Sequence, residues 1–220
     1  MSRTLSEADS KQLLRDFGIP FLPEVLIASS GDAKHAATQF QGPVALKLCG
    51  SAIAHKSERG LVRLGVNGEG EILRAVEDLF DAARPEDGVT GVLVAPMATG
   101  LREFIAGVSV DPVFGPTVVF GLGGVLAEAT GDATVRLAPL RRFDAFDMID
   151  SLSTQALFEP FRGEPQVDRE SLADVLCALS NAALTITDLV SIDLNPIMIV
   201  NGQPIALDAL VELADAEVGS

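Results

Sequence analysis

Cysteine, histidine and basic residues are scarce in this chain, and each scarcity removes a class of function. Cys49 and Cys177 are the only cysteines, too few and too far apart for a disulfide framework or a CxxC metal knuckle. His35 and His55 are the only histidines, so a histidine-rich zinc site is excluded and any imidazole chemistry must fall on one of them. The 16 Lys and Arg stand against 31 Asp and Glu, a formal net charge of −15. That charge opposes a phosphate backbone, and no cluster of Lys or Arg with aromatic residues offsets it, which argues against nucleic acid as a partner. No apolar run approaches the ~20 residues needed to cross a bilayer. The opening MSRTLSEADSKQ has no signal-peptide core, and cytosolic residence is the default expectation. GxxxxGK[ST] is missing too, which disfavours a P-loop phosphate cradle.

What the chain does have is core. With 48% hydrophobic residues in 220, it can build one large domain or two small ones. Ser6-Glu-Ala-Asp opens a helix with Leu13, Leu14 and Phe17 on one side, stopped by Gly18 and Pro20. Strands are expected at 24–28, 44–48, 61–66 and 91–97, with a helix near 32–40. Another helix, over 71–83, carries Ile72, Val76, Leu79 and Phe80 at helical spacing. A hinge at 96–100 precedes a β-rich stretch with strands at 103–110, 117–120, 125–129 and 135–140. Helices over 143–152 and 168–187, the second capped by Asp168, then lead to a hairpin. The pattern predicts an α+β chain of two lobes, 1–96 with the N-terminal helix and 97–220, with a cleft between them.

Several polar residues interrupt this apolar pattern. Ser191-Ile-Asp-Leu-Asn-Pro-Ile-Met-Ile-Val200 and Gln203-Pro-Ile-Ala-Leu-Asp-Ala209 are joined by Asn201-Gly202, a pair that tolerates the positive φ of a tight hairpin turn. Asn195 and Asp208 could then face each other. Their hard oxygens suit Mg²⁺, which keeps waters and binds substrate phosphates beside one or two protein oxygens; alternatively, Asn195 shapes the turn before Pro196 and Asp208 is a solvated charge. Lys47 interrupts Val44-Ala-Leu-Lys-Leu-Cys49 and is either a phosphate ligand or a snorkelling edge lysine. His55 and Lys56 sit in the small polar loop 50–60, where an imidazole beside a cation could take up a phosphoryl group. Phe120-Gly-Leu-Gly-Gly-Val125 departs from GxGxxG. It leaves Gly121, Gly123 and Gly124 as a tight turn whose amides could approach an anion, or a turn needed only for its geometry. Glu103 could accept from ribose hydroxyls, and Arg136 could reach a phosphate or close an ion pair.

In order along the chain, these pieces resemble the ATP-grasp domain of the nucleoside-diphosphate-forming acyl-CoA synthetases, such as ADP-forming acetyl-CoA synthetase. The carriers are Lys11-Gln-Leu-Leu-Arg-Asp-Phe-Gly-Ile-Pro20, Ala45-Leu-Lys-Leu48, His55-Lys-Ser-Glu58, Gly91-Val-Leu-Val-Ala-Pro-Met97, Asp111-Pro-Val-Phe-Gly-Pro116, Phe120-Gly-Leu-Gly-Gly124, Asp193-Leu-Asn-Pro196 and Leu207-Asp-Ala209. The resemblance implies an ATP-grasp fold over 1–220, with ATP or ADP clamped between two lobes. It implies Lys47 on the phosphates, backbone around Ala95 and Met97 on adenine, and Glu103 on ribose; Lys56, beside the loop histidine, and Arg136 are expected as further ATP contacts from their own positions. Asn195 and Asp208 match Mg²⁺ ligands, Asp193 an acidic position near phosphoryl transfer, and His55 a histidine that relays the phosphoryl group. The implied reaction is acyl-CoA + ADP + phosphate ⇌ carboxylate + CoA + ATP. Two departures stand out: Arg59-Gly60-Leu61-Val62 replaces the Gly-Gly-Val common after the histidine loop, and no CoA-binding segment accompanies the domain, so a CoA-binding partner subunit or fused domain is expected. A nucleotide-sensing regulatory module, as attached to some protein acetyltransferases, is the alternative, and a stand-alone ATP-grasp ligase a third.

Overall fold

A computed structural model describes residues 2–53, 56, 58–124 and 131–215. The expected strand at 125–129 and His55 lie outside these residues. The chain divides into two compact units, a larger one of residues 1–3, 10–21 and 98–220 and a smaller one of residues 4–9 and 22–97. No helix among the described residues is long and apolar enough to cross a membrane.

The smaller unit is a four-stranded sheet in the order β2 (Val25–Ile27), β5 (Val89–Pro96), β3 (Val44–Gly50), β4 (Val62–Val66). Helices α2 (Ala33–Gln39) and α3 (Glu69–Asp81) cover one face. Alternation decides which side chains go inside: Val44, Leu46 and Leu48 of β3 join Val92 and Val94 of β5 against Ile72, Val76 and Leu79 of α3. Ala45, Lys47 and Cys49 therefore point to the other face, level with Ala95, Leu93 and Gly91 in the β3–β5 register.

The segment between β3 and β4 is tied at both ends to one turn. Ser51 N–H and Ala52 N–H donate to the carbonyls of Gly88 and Asp87. At the far end, the Arg59 guanidinium makes two 2.8 Å bonds to the buried Asp87 carboxylate, which also accepts from the Arg84 N–H. These bonds hold the Asp87 carboxyl down at about 2, chiefly through Arg59.

The larger unit is built on a seven-stranded sheet, order β1 (Ser2–Thr4), β11 (Leu210–Ala214), β9 (Leu189–Val200), β6 (Glu103–Asp111), β7 (Gly115–Leu122), β8 (Ala133–Leu137), with β10 (Gln203–Ala206) also on β9. Helices α4 (Arg142–Asp150) and α5 (Arg169–Thr185) pack on one face. Asp168 caps α5 by accepting from the Ser171 N–H at 3.0 Å, as its position in the sequence predicts. The centre is a row of stacked rings, Phe120, Phe104 and Phe158, with neighbouring centroids 5.4 and 5.0 Å apart.

The first 21 residues do not follow the expected division at 96/97. Residues 10–21 group with the larger unit because their polar groups are satisfied there. Ser10 Oγ accepts from the Val211 N–H and the Pro20 carbonyl from the Ala206 N–H. Helix α1 (Glu7–Arg15) thus has its first turn in one unit and the remainder in the other.

Two buried cation clusters yield predictions. The Arg102 guanidinium, 1% exposed, bonds Glu164 and the carbonyls of Leu157, Glu159 and Pro165. Arg102→Ala strands those acceptors and is expected to destabilise the protein by about 3–5 kcal/mol in urea denaturation. For Asp87, a folded value depressed below the ordinary 3.8 means stability that is complete above the unfolded value and lost as pH falls toward 2. Denaturation midpoints measured from pH 5 to pH 2 should show this acid limb in the wild type, and Asp87→Asn should flatten it.

Candidate functional site

Long central strand β9 places the oxygen donors. Its buried side chains are Ile192 and Leu194, then Ile197 and Ile199, so the alternation slips by one residue at Asn195-Pro196. The β6–β9 register records the same slip: Phe104 faces Ile197 but Ala106 faces Leu194. This is a β-bulge, a place where a proline without an N–H is tolerated and where an outward side chain is re-aimed. The hairpin turn forms at Asn201 (φ 51°) and Gly202 (φ 84°), with Gln203 opposite Val200.

Across the bulge, Ala206 pairs with Ile197 and Leu210 with Asp193 in one continuous register, which sets Asp208 level with Asn195. Leu207 N–H donates to the Pro196 carbonyl at 2.9 Å, holding the connection close to β9. Asp208 accepts from the Ala209 N–H through Oδ1. Asp193 is accessible at the surface, yet the protein packed around it displaces part of its water. That desolvation, with repulsion from Asp208, pushes its carboxyl above the usual aspartate range. An amide oxygen and two mutually repelling carboxylates form a hard donor set short of positive charge, and this fits Mg²⁺. Among the described residues no group of three or more His, Cys, Asp or Glu is arranged to hold a metal.

Glu103 and the glycine turn, far apart in sequence, meet at the β6–β7 edge. Gly123 N–H donates to the Glu103 carbonyl at 2.8 Å. A Cβ on Gly123 would stand 2.9 Å from the Glu103 carbonyl carbon, and one on Gly124 (φ 78°) 3.4 Å from Glu103 Oε2. Gly121 has no more room, with Ala133 Cβ and Asp132 O each 2.9 Å from its own Cβ position. Close backbone approach at Gly121 and Gly123, and the positive φ of Gly124, therefore explain these glycines whether or not an anion binds, and the Gly123 amide is already committed. In register, Glu103 faces Met198 and Gly107 faces Asp193. The period of two then puts Glu103 and Asp193 on the sheet face away from α4 and α5.

Arg136 is on the opposite face. It pairs in register with buried Val118 and donates to Asp147 of α4 at 2.5 Å. Of its two sequence readings, the ion pair is the one present in the structure. The adenine assignment also narrows. Met97 N–H donates to the Pro43 carbonyl at 3.0 Å and residue 96 is proline, leaving carbonyls and the Ala95 backbone as readers.

In the smaller unit, Lys47 finds a partner that the sequence reading overlooked. Glu7, in the first turn of α1, has a side chain 1% exposed. Its Oε1 accepts from Lys47 Nζ at 2.8 Å and its Oε2 from Lys56 Nζ. An acidic residue at a helix start reads as a dipole match, so nothing local marks Glu7 as a counter-ion for lysines 40 and 49 positions away.

Because desolvation is the larger cause of the Asp193 shift and Asp208 the smaller, Asp208→Asn should lower the Asp193 midpoint only part of the way. Carbon-detected NMR titration of the carboxyls measures this, and an unmoved midpoint would separate the two residues electrostatically.

Comparison with known proteins places this geometry. The ATP-grasp domain family matches residues 1–213. The β subunit of ADP-forming acetate–CoA ligase I from Pyrococcus furiosus is 34% identical over 215 residues, covering 94% of this chain and 91% of that protein. A Ca. Korarchaeum cryptofilum acetyl-coenzyme A synthetase 1, solved with coenzyme A and Ca-AMPCP, superposes with a TM-score of 0.89 at 32% identity, covering 96% of this chain and 93% of that one. The same synthetase with Mg-AMPPCP, its phosphohistidine segment pointing towards the nucleotide-binding site, gives 0.81 at 31% identity, covering 94% and 91%. The chain belongs to the ATP-grasp domain family, alongside the β subunits of ADP-forming acetate–CoA ligases.

Proposed function

We propose that this chain is the ATP-binding, phosphoryl-transferring subunit or domain of an ADP-forming acyl-CoA synthetase, catalysing acyl-CoA + ADP + phosphate ⇌ carboxylate + CoA + ATP with a CoA-binding partner. The single observation that carries the reading is similarity along nearly the whole chain to a β subunit of that enzyme class. The oxygen donors at Asn195 and Asp208 support it, because their chemistry suits the cation that accompanies a nucleotide.

In this reading Lys47 and Lys56 neutralise phosphate charge, while Glu103 accepts from the ribose hydroxyls. Backbone at Ala95 and the Met97 carbonyl contact adenine, and Gly121 and Gly124 line the phosphate approach. Asn195 and Asp208 would hold Mg²⁺, which supplies charge neutralisation on the transferring group. His55, outside the described residues, is assigned the relay. Its imidazole nitrogen forms the P–N bond as the P–O bond to ADP breaks, and the reverse step restores ATP. Asp193, with its raised carboxyl, is assigned to hold the proton or orient the imidazole during that exchange. Phosphoryl transfer depends on alignment and electrostatics more than on covalent machinery, and these residue types supply both.

Purified chain should bind Mg·ATP in calorimetry, and Lys47→Ala should weaken binding by about tenfold or more. Unchanged affinity in that variant would overturn the assignment of Lys47. His55→Ala should retain nucleotide binding while losing acyl-CoA-dependent ATP formation after reconstitution with the partner.

A further inference from the structure

The Glu7 carboxylate gathers both lysines assigned to phosphate. Each of its oxygens accepts from a different ammonium group, Lys47 on β3 and Lys56 in the segment after it. Two ammonium groups brought that close repel one another, so an anion between them is what makes the arrangement stable. A carboxylate with two diverging oxygens offers the same pair of acceptors as one edge of a phosphate. The burial is graded in a useful direction. Glu7 is enclosed, with 1% of its side chain exposed, whereas Lys47 and Lys56 keep 18% and 16%. An incoming anion can therefore meet the ammonium groups from the solvent side, with Glu7 behind them.

We propose that Glu7 is an internal surrogate for phosphate, a positioning residue that holds Lys47 and Lys56 on one anion and shares or yields them when a polyphosphate arrives. The inference rests on Lys47 and Lys56 being phosphate ligands, and it adds a specificity rule to that site. The three side chains together carry one net positive charge, so a weakly charged ligand gains little by competing with Glu7. A polyphosphate, with three or four negative charges, gains enough to draw the lysines away. Glu7 thereby lowers absolute affinity while widening discrimination by charge, and it keeps both lysines ordered in the absence of ligand.

The test is calorimetric binding of AMP, ADP, ATP and inorganic tripolyphosphate to the full chain at low and high salt, comparing wild type with Glu7→Gln. Glu7→Gln removes the competing charge and keeps the shape. It is expected to tighten ATP and tripolyphosphate by roughly tenfold and ADP by roughly threefold while leaving AMP nearly unchanged, with the gain shrinking as salt rises. A role confined to stability would instead lower the melting temperature and shift all four ligands by one common factor; that result, or weaker binding of ATP and tripolyphosphate, overturns the proposal. Should Glu7→Gln not fold, Glu7→Asp decides. Aspartate keeps the charge but is one methylene too short to reach both lysines, so tripolyphosphate is expected to bind more tightly than to wild type, by roughly threefold, and affinity equal to or below wild type overturns the idea. The two readings fail separately. If ATP binds, Lys47→Ala weakens it and Glu7→Gln changes nothing, the surrogate role is wrong and the ATP site stands. If wild type ignores ATP but tripolyphosphate responds to Glu7 as described, the nucleotide assignment is wrong and the surrogate role stands.

Discussion

A strand buried on one face must send alternate side chains inward, and β9 keeps that rule across its middle by breaking register at Asn195-Pro196. Ile192 and Leu194 obey one phase and Ile197 and Ile199 the other, and the extra residue between them is absorbed at Asn195-Pro196. Without the bulge, one of the two pairs would turn toward solvent and the sheet would lose its contact with α5. With it, the core is satisfied on both sides and Asn195 is left outside, level with Asp208. The oxygen donors of the larger unit thus follow from a packing requirement on its central strand.

Charge is handled differently in the two units. Around β9, Asp193 and Asp208 are allowed to repel, and the Asp193 carboxyl is raised mainly by burial and in part by that repulsion. In the smaller unit two cations come together, with Lys47 and Lys56 both gathered on the buried carboxylate of Glu7. Each arrangement holds a local charge that a charged ligand of the opposite sign relieves, a cation in one case and an anion in the other. Binding sites are where proteins keep such imbalances, because pre-set charge need not reorganise when the ligand arrives. Elsewhere several arginines are compensated within the chain: Arg59 by Asp87, Arg102 by Glu164 and three carbonyls, Arg136 by Asp147.

Much of the architecture was legible locally. Apolar residues at helical spacing marked α3, Asp168 announced α5 through its cap, and Asn201-Gly202 announced the hairpin. Each of these signals acts over a few residues, so a window of sequence contains its cause. The legible part of the site was of the same kind, a polar residue interrupting an apolar run, as with Lys47 in β3 and Asp193 in β9. What was not legible has the opposite property. The ion pair of Arg136 depends on which face of β8 meets α4, the hydrogen bond of Met97 on Pro43 lying across from it, and the division of the first 21 residues on where β11 runs.

The sequence by itself determined the α+β character, the strand that carries the donors, and an ordered set of motifs specific enough to indicate the ATP-grasp family. Periodicity, turn chemistry and spacing are properties of neighbouring residues, and neighbours are what a sequence states. Tertiary structure alone decided that Glu103 and Gly123 share a hydrogen bond, that burial and Asp208 raise the Asp193 carboxyl, and that Glu7 is a counter-ion of two lysines 40 and 49 positions away. Those pairings arise from folding remote segments onto one sheet face, where burial forces each charge to find a partner and topology settles which one it finds.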